Sequence, residues 1–406
     1  MALNVKVSFL GFLDMLKFKN MAKARNQAID SASENKIITK YAINENAKTL
    51  HPDYQKLELE SIEEFNTAGA KRFVFKSEDN SKIANFRAGQ YLSLKLKIGE
   101  SYVTRPYSIC SSPKEATRDG KIAITIKTNP DGFAADWLLD NVKVGDVLVA
   151  SDPQGQFYYE DLRDKKDVVA LAGGSGITPF LSMAKAIVEG SEDFNLTIIY
   201  GCRKLDQIIF KDELEDLAKH SDGKVKVVYI LSDERVDGYE NGFITSDVIK
   251  KYAPANEEYS IFICGPEAMY KFAEQEIKSL NLPRRLVRNE LLGVPKNIAL
   301  DEKFNGDINA TYSVTVKQTG KPDCVIDAKS VEPLLVAFER AGIKAPSRCR
   351  SGECGWCRSK LVSGDVYVVE ATDGRRAADK KSNTIHPCAS YPLSDCVVEV
   401  PGEYWA

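Results

Sequence analysis

Alternation of apolar and polar residues is strongest between about residues 52 and 155. Short alternating runs separated by turns fill this region, among them KRFVFK (71–76), YLSLKLK (91–97) and KIAITIKT (121–128). Such runs are typical of strands with one buried face, and closely spaced strands of this kind form antiparallel sandwiches or barrels. We therefore predict an antiparallel sandwich or barrel for residues 51–160.

After Asp167 the pattern changes to alternating strands and helices. Buried strands are predicted at 168–172, 196–200, 225–231 and 260–264, and helices at 212–220 and 267–280. This order is typical of a doubly wound parallel sheet, which we predict for residues 161–285. A linker is predicted at 286–310, followed at 311–406 by a small α+β domain of strands and one helix (333–341).

The first 50 residues are predicted to be a helical extension. Apolar residues from Val5 to Phe18 are followed by Lys19, Lys23 and Arg25. No run of 18 uncharged apolar residues is present, so a membrane-spanning helix is not expected. Two alternatives stay open for residues 1–30: packing on this protein or a partner, or peripheral attachment to a membrane surface.

Composition narrows the class of protein. With 406 residues, the chain is too long for one ordinary core, so several domains are expected. Its 55 basic and 58 acidic residues give a net charge of −3, which gives no reason to expect nucleic acid. Five cysteines outside the cluster described next are scattered, which favours a reducing, cytoplasmic location over a secreted disulfide framework.

Four cysteines show the spacing C-x4-C-x2-C with a distant fourth, which is typical of a plant-type [2Fe-2S] cluster. The predicted metal ligands are Cys349, Cys354, Cys357 and Cys388. Glycines between them permit positive φ and let amide N–H groups reach sulfur. Zinc is the main alternative, but structural zinc sites usually present two C-x2-C pairs and only one is found here.

A second motif, RPYS (105–108), has the chemistry of a flavin site. Arginine suits a phosphate, a flat aromatic ring suits the isoalloxazine, and a short hydroxyl side chain suits a ring nitrogen. GFAADWL (132–138) is predicted to open a helix whose free N–H groups bind flavin phosphate, and PQGQF (153–157) closes the domain. The three motifs in this order favour a flavin.

The parallel sheet carries two further motifs. GGSGITPF (173–180) links a strand to a helix, an arrangement that forms an anion site for a pyrophosphate. ICGPEAM (263–269) puts Cys264 at the carboxyl edge of the sheet, where ligands bind. A buried structural cysteine is the alternative for Cys264.

Taken together, these motifs resemble those of the ferredoxin–NADP reductase superfamily, and the domain order is similar to that of its members with a C-terminal plant-type [2Fe-2S] ferredoxin domain. The resemblance covers about residues 52–406. It implies a flavin-binding six-stranded barrel, an NAD(P)H-binding domain and a β-grasp ferredoxin domain.

The resemblance also implies site residues. Cofactor contacts on the flavin side are Arg105, Pro106, Tyr107, Ser108, Gly132, Phe133, Ala134 and Glu290. Nucleotide contacts are Gly173, Gly174, Gly176, Thr178, Asp233, Cys264, Gly265 and Pro266. Ser108, Thr178 and Cys264 are expected at the position of hydride transfer, as catalytic residues.

Three departures from the family affect the cofactors. Ala135 replaces a Ser or Thr of many relatives, which leaves FAD or FMN open, with FAD favoured. Leu291 and Leu292 follow Glu290 where relatives often carry an aromatic residue that covers the flavin. Asp233 and the acid after it stand where NADPH-using relatives place Ser-Arg, and they would repel a 2′-phosphate, so NADH is favoured.

The expected function is that of an NADH-dependent reductase. Hydride would pass from NADH to FAD, and single electrons would pass through the [2Fe-2S] cluster to a separate acceptor such as an oxygenase or hybrid-cluster protein. No general acid or base is expected. The acceptor is predicted to dock near the cluster loop, at Arg348, Arg350, Glu353 and Trp356. The alternatives are a subunit of a larger or membrane-associated complex and a redox-responsive binding protein.

Overall fold

The computed structural model describes residues 9–32, 41–129, 132–255, 258–290 and 293–402. The chain divides into a short unit, Met1–Ala47, and a large unit, Lys48–Ala406. Helix α1 (Phe9–Asp30) lies in the short unit, and α2 (Ala42–Leu50) begins there. The apolar stretch predicted from Val5 falls partly outside the described residues. Within those ranges, no helix combines the length and apolar character needed to cross a bilayer.

The first domain of the large unit is a six-stranded antiparallel sheet curved into a half-barrel. Its elements are β1 (Tyr54–Phe65), β2 (Ala70–Ser77), β3 (Tyr91–Ile98), β4 (Ser101–Ser108), β5 (Lys121–Lys127), α3 (Ala134–Asn141) and β6 (Val147–Ser151). The strand order is β4-β3-β6-β1-β2-β5. Alternate residues such as Leu57 and Leu59 are fully buried, as period-two alternation requires. The predicted antiparallel barrel is confirmed.

The second domain is a parallel sheet with helices in its crossovers. Its elements are β7 (Asp167–Gly173), α4 (Thr178–Val188), β8 (Asn195–Cys202), α5 (Lys211–Lys219), β9 (Val225–Leu231), β10 (Glu240–Asn241), α6 (Ser246–Tyr252), β11 (Tyr259–Cys264), α7 (Glu267–Lys278) and β12 (Val287–Asn289). The order β10-β9-β8-β7-β11-β12 reverses direction between β7 and β11. Open parallel sheets bind ligands at such a switch point, beyond the carboxyl ends of the strands.

One strand of this sheet lies in residues that the sequence assigned to the linker at 286–310. β12 pairs in parallel with β11, with Val287 opposite Ile261 and Asn289 opposite Ile263. Three residues are too few to show a period in the sequence. The parallel sheet therefore extends beyond residue 285.

The third domain is a mixed sheet with one main helix. Its elements are β13 (Thr311–Lys317), β14 (Cys324–Lys329), α8 (Leu334–Arg340), β15 (Ser359–Ser363), β16 (Val366–Val368), α9 (Ala377–Lys381), β17 (Thr384–Ile385), β18 (Ser390–Pro392) and β19 (Cys396–Glu399). The main sheet has the order β14-β13-β19-β15-β17, with β13 and β19 parallel. The long loop between α8 and β15 carries three of the four clustered cysteines.

Residues 152–159, which follow β6, join the barrel to the parallel sheet. The Phe157 ring packs against Phe180 and Phe262 at centroid distances of 5.7 and 5.2 Å. Tyr159 stacks on Phe194 at 4.4 Å. The two domains therefore share one apolar core across their boundary.

Candidate functional site

Three buried side chains meet where the barrel contacts the carboxyl edge of the parallel sheet. Ser108 ends β4, Cys264 ends β11 and Glu290 follows β12. The Ser108 hydroxyl donates to the Glu290 carboxylate at 3.0 Å from each oxygen, and the Cys264 thiol donates to Oε2 at 3.0 Å. Glu290 therefore links strand ends from two domains. We call these three residues the junction.

Burial governs the electrostatics of the junction. It raises the pKa of the Glu290 carboxyl to about 7, and hydrogen bonds from Cys264 and Ser108 oppose that rise because they stabilise the ionised form. Burial also raises the pKa of the Cys264 thiol well above its usual range, and the Glu290 charge adds to this effect. The junction thus holds a neutral thiol beside a carboxyl that changes protonation near neutral pH.

Tyr270 on α7 braces the junction from behind. Its hydroxyl donates to the backbone carbonyl of Glu290 and accepts from the Gly265 amide at 3.3 Å. The Glu290 amide donates to the Ile263 carbonyl at 2.9 Å. The backbone that carries Glu290 is therefore held against the end of β11 from two sides.

The glycine-rich turn after β7 packs on the same strand end. A Cβ on Gly176 would lie 2.0 Å from the Cys264 carbonyl oxygen, and a Cβ on Gly173 would lie 2.5 Å from Met269 Sδ. Gly174 has φ +55° with open space around it. Two glycines thus allow close packing of the turn on β11, and Gly174 supplies the left-handed bend.

The residues next to this turn are equally constrained. Thr178 is buried at the start of α4, and its hydroxyl donates to the Ser175 carbonyl at 2.7 Å. Pro266 caps the N-terminus of α7. A Cβ on Gly265 would lie 2.5 Å from Met269 Sδ. The N-termini of α4 and α7 therefore flank the junction side by side.

Arg105, Pro106 and Tyr107 precede Ser108 on β4. Tyr107 is partly buried and packs on the barrel core. The Arg105 guanidinium donates to the Thr104 carbonyl at 2.9 Å. Burial and the nearby Arg350 lower the pKa of Arg105 to about 10.

Gly132, Phe133 and Ala134 lie at the start of α3. The Gly132 amide donates to the Asn129 carbonyl at 2.7 Å, and a Cβ on Gly132 would lie 2.7 Å from Asp136 Oδ1. Phe133 is 55% exposed, whereas Ala134 is buried. The turn therefore requires glycine for steric reasons, and the helix start opens to the surface.

The two acids that follow β9, Asp233 and Glu234, have different hydrogen-bond partners. Asp233 is exposed, and its carboxylate accepts from the Ser232 hydroxyl at 2.5 Å. Glu234 instead accepts from the Leu205 backbone amide. Asp233 is thus the member of the pair that remains open to a ligand at the end of β9, next to the exposed Arg203.

The four clustered thiols form a chain of contacts. Cys349 is close to Cys354 and Cys388, and the Cys388 and Cys357 sulfurs are 3.3 Å apart. Backbone amides point at these sulfurs: Cys349 accepts from the amides of Ser351 and Cys354 at 3.4 Å. Amide donors directed at sulfur are typical of iron–sulfur sites, where they stabilise thiolate charge.

The loop that carries these thiols needs its glycines. Gly352 and Gly355 have φ of +80° and +69°. A Cβ on Gly352 would lie 2.4 Å from the Thr372 carbonyl oxygen. His386 Nδ1 lies 2.5 Å from the Gly352 carbonyl oxygen and holds the loop in place.

Comparisons with known proteins identify the family to which the chain belongs. Family models for an oxidoreductase FAD-binding domain, an oxidoreductase NAD-binding domain and a 2Fe-2S iron-sulfur cluster binding domain match residues 56–159, 170–275 and 316–393. The ferredoxin reductase component of 3-ketosteroid-9-alpha-monooxygenase from Mycolicibacterium smegmatis is 30% identical over 348 residues, which are 83% of this chain and 94% of the relative. The chain belongs to the ferredoxin–NADP reductase superfamily.

Other members of the superfamily support this assignment. The reductase subunit of glycine betaine monooxygenase from Chromohalobacter salexigens is 29% identical, covering 77% of this chain and 87% of the relative. The solved structure of phthalate dioxygenase reductase has the same fold, with a TM-score of 0.61 at 23% identity over 86% of this chain and 98% of that one. The protein is thus a flavin- and nicotinamide-nucleotide-binding iron–sulfur oxidoreductase.

The residues of this reductase fit the cofactors of the superfamily. The half-buried Arg105 cation suits a flavin phosphate. The four thiols are linked through Cys349 and Cys388. This arrangement suits a binuclear cluster, in which two irons share the four thiolates.

One expectation about the reductase was wrong. Arg348 was predicted to face an acceptor protein, but it is 2% exposed, because its charge is satisfied inside the protein. Arg350 pairs with Glu339 of α8. The charge of Glu353 contributes to the raised pKa of Glu290, so Glu353 lies near the junction. Of these residues, Arg348 is the one whose ion-pair and hydrogen-bond partners, Asp152 and Asp53, belong to the barrel domain, whereas Glu353 is exposed.

The sequence also gave no reason to single out Tyr91. This buried residue begins β3 opposite Ser108, and its amide and carbonyl both pair with Gln154, at 2.9 and 2.7 Å. Burial raises the pKa of Tyr91, and the charges of Cys349 and Glu290 add to the effect. Tyr91 therefore lies within electrostatic reach of both the cluster loop and the junction. In the sequence, a tyrosine in an alternating strand is indistinguishable from an ordinary core residue.

Proposed function

We propose that the protein is an NADH-dependent reductase that binds FAD and supplies single electrons through its [2Fe-2S] cluster to a separate acceptor protein. The observation that carries this proposal is the junction: the end of the flavin-motif strand, through Ser108, and the end of β11, through Cys264, meet at one buried carboxyl, that of Glu290. A nucleotide at the switch point of the sheet would thus meet the ring bound by β4.

The chemistry divides between cofactors and protein. Bound FAD supplies the exchange between a two-electron hydride and single electrons. Tyr107 would pack against the isoalloxazine ring, and Arg105 would bind the flavin phosphate. Thr178 and the glycine turn at 173–176 would orient the nucleotide at the N-terminus of α4. Gly132, Phe133 and Ala134 would bind flavin phosphate at the start of α3.

Glu290 has a further role in this proposal. A carboxyl with a pKa of about 7 exchanges a proton readily at neutral pH. The thiol of Cys264 and the hydroxyl of Ser108 direct that carboxyl and keep water away from it. Glu290 therefore holds a proton at the place where hydride arrives, a function for which the sequence analysis expected no residue.

Asp233 supports the choice of NADH. Its exposed carboxylate stands at the end of β9, where the adenosine ribose binds in sheets of this kind. A carboxylate accepts from a 2′-hydroxyl and repels a 2′-phosphate. Asp233 is the more exposed of the two acids, so we assign this selectivity mainly to Asp233.

The acceptor belongs to the same proposal. Relatives are named as reductase components of monooxygenases, which favours an oxygenase component as the acceptor. Since Arg348 is buried against the barrel domain, we place the docking surface on exposed parts of the C-terminal domain outside that contact. The contact of residues 1–30 with a membrane or partner remains a prediction.

The test begins with the purified full chain. Released flavin is identified by chromatography, iron and sulfide are counted, and kcat/KM is compared for NADH and NADPH with ferricyanide as acceptor. We expect FAD, two irons and two sulfides per chain as for [2Fe-2S] centres, and a clear preference for NADH. Equal kcat/KM for the two nucleotides would contradict the role of Asp233. If the wild-type protein showed no electron transfer from flavin to cluster, the proposed function as a whole would be contradicted.

A further inference from the structure

The side chain of Arg348 leaves the C-terminal domain and ends in the barrel domain. Its Nη1 forms an ion pair with Asp152, and its Nη2 donates to the Asp53 backbone carbonyl at 2.8 Å. Both partners belong to the barrel domain, since Asp53 directly precedes β1 and Asp152 directly follows β6. The contact therefore crosses the boundary between the two domains.

The same side chain is tied to the cluster loop. The Arg348 guanidinium lies 3.6 Å from the centroid of the Trp356 ring. Arg348 directly precedes the ligand Cys349, and Trp356 stands between the ligands Cys354 and Cys357. A shift of the guanidinium would thus act on the loop at two places.

Burial makes this contact specific. Arg348 is 2% exposed, and its partner Asp152 has a side chain 18% exposed. Burial raises the pKa of the Asp152 carboxyl, and Arg348 acts in the opposite direction. A buried charge that loses its partner is strongly unfavourable, so the docked arrangement depends on both. The planar fork of arginine reaches Asp152 and the Asp53 carbonyl from two separate nitrogens, whereas lysine has a single nitrogen for both acceptors.

Two other arginines beside the ligands behave differently. Arg350 pairs with Glu339, and Arg358, which follows Cys357, pairs with Asp379 at 3.1 Å. Both of these pairs lie within the C-terminal domain. Arg348 is thus set apart from its neighbours by its partner, and Arg358 offers a matched control: an arginine next to a ligand with an ion pair in its own domain.

Asp152 connects this contact to the junction. It opens segment 152–159, in which Gln154 brackets Tyr91 and Phe157 packs into the parallel sheet. Tyr91 in turn lies opposite Ser108. The cluster loop is therefore docked on the same short segment that aligns the barrel with the nucleotide sheet.

We propose that Arg348 is a positioning residue for electron transfer: its pair with Asp152 holds the cluster loop against the flavin domain. The inference rests on the proposed function and deepens it. NADH is the reductant: the hydride it gives to the flavin leaves as two single electrons, which pass to the cluster one at a time, and one proton, which is released from the flavin to solvent. Arg348 touches neither the nucleotide nor the hydride, so it acts only on the distance and orientation between the two redox groups.

The experiment compares Arg348→Met, Asp152→Asn, the double variant, Arg348→Lys and the control Arg358→Met, all as full-length protein with cofactors. Anaerobic rapid mixing with NADH follows the loss of flavin absorbance and then reduction of the cluster. We expect unchanged flavin reduction in every variant, and a flavin-to-cluster rate that falls by about tenfold or more for Arg348→Met and for Asp152→Asn. The double variant should be no slower than the slower single variant, because one contact is lost in each.

A second readout does not depend on turnover. Trypsin cuts after lysine, and Lys296 and Lys303, in the segment between the second and third domains, are exposed. We expect faster cleavage there in Arg348→Met and Asp152→Asn, partial recovery in Arg348→Lys, and wild-type behaviour in Arg358→Met. Iron content and the electron paramagnetic resonance spectrum of the reduced cluster should be unchanged throughout.

Several results would overturn the proposal. A wild-type transfer rate in Arg348→Met would show that the contact is dispensable. Loss of iron in that variant would assign Arg348 to cluster binding. An effect of Arg348→Met without an effect of Asp152→Asn would assign the residue to its contact with Trp356 alone. Absence of flavin-to-cluster transfer in the wild-type protein would instead refute the proposed function.

Discussion

Glu290→Gln isolates the buried carboxyl of the junction. Glutamine keeps the shape of the side chain and one oxygen that accepts from Ser108 or Cys264, but it cannot ionise. In the folded protein, burial raises the pKa of Glu290 to about 7, against 4.5 for the unperturbed group. The substitution therefore removes one titration and leaves the packing of the junction largely intact.

The sign and size of the effect follow from linkage. Because the folded-state pKa lies above the unfolded one, the folded state binds this proton more tightly. The stabilisation is complete below the unfolded pKa of 4.5 and is lost as pH rises through about 7. The difference of roughly 2.5 pH units corresponds to about 3 kcal/mol, lost at about 1.4 kcal/mol per pH unit between the two values.

Urea unfolding across this pH range measures the effect. Between about pH 5 and about pH 8, the wild-type protein should lose up to about 3 kcal/mol of unfolding free energy relative to Glu290→Gln. Glu274→Gln, at an exposed position on α7, is the matched control and should follow the wild type. If the wild type and Glu290→Gln gave parallel curves, the assignment of a raised pKa to Glu290 would be refuted.

Three further substitutions test separate parts of the reductase. Cys357→Ser should abolish cytochrome c reduction and spare ferricyanide reduction at the flavin, whereas equal loss of both would contradict the electron order. Asp233→Arg should raise the ratio of kcat/KM for NADPH over NADH by about tenfold or more, since it replaces a repelling charge with an attracting one; an unchanged ratio would count against the ribose site. Gly176→Ala puts a methyl group 2.0 Å from the Cys264 carbonyl oxygen and should cost about 1–3 kcal/mol of stability and raise KM for NADH. Gly201→Ala, whose added methyl would meet its nearest neighbour at 3.7 Å, should do neither.

Local patterns predicted most of the fold. Period-two alternation gave the barrel, apolar runs between helices gave the parallel sheet, and cysteine spacing gave the cluster loop, because each pattern is complete within a short stretch of chain. β12 escaped detection, since three residues cannot show a period. Leu291 and Leu292, which stand where relatives often carry an aromatic residue over the flavin, lie outside the described residues.

The junction and the Arg348 contact could not be predicted in the same way. Ser108 and Glu290 are 182 residues apart, and Arg348 and Asp152 are 196 apart. An arginine beside a ligand loop has the sequence character of an exposed residue, and a glutamate after a short strand has no local signature. Their roles arise from how the domains meet, which single-sequence patterns do not encode.

The contact between Arg348 and Asp152 also has a consequence for the exchange of domains between such reductases by gene fusion. A gene fusion that replaces the C-terminal domain at the segment following β12 would bring in a new cluster loop but leave Asp152 behind. The recombinant would then hold a buried acid without its cation, beside the segment that carries Phe157 into the nucleotide sheet. Recombination at this boundary therefore preserves function only when both members of the pair are inherited together.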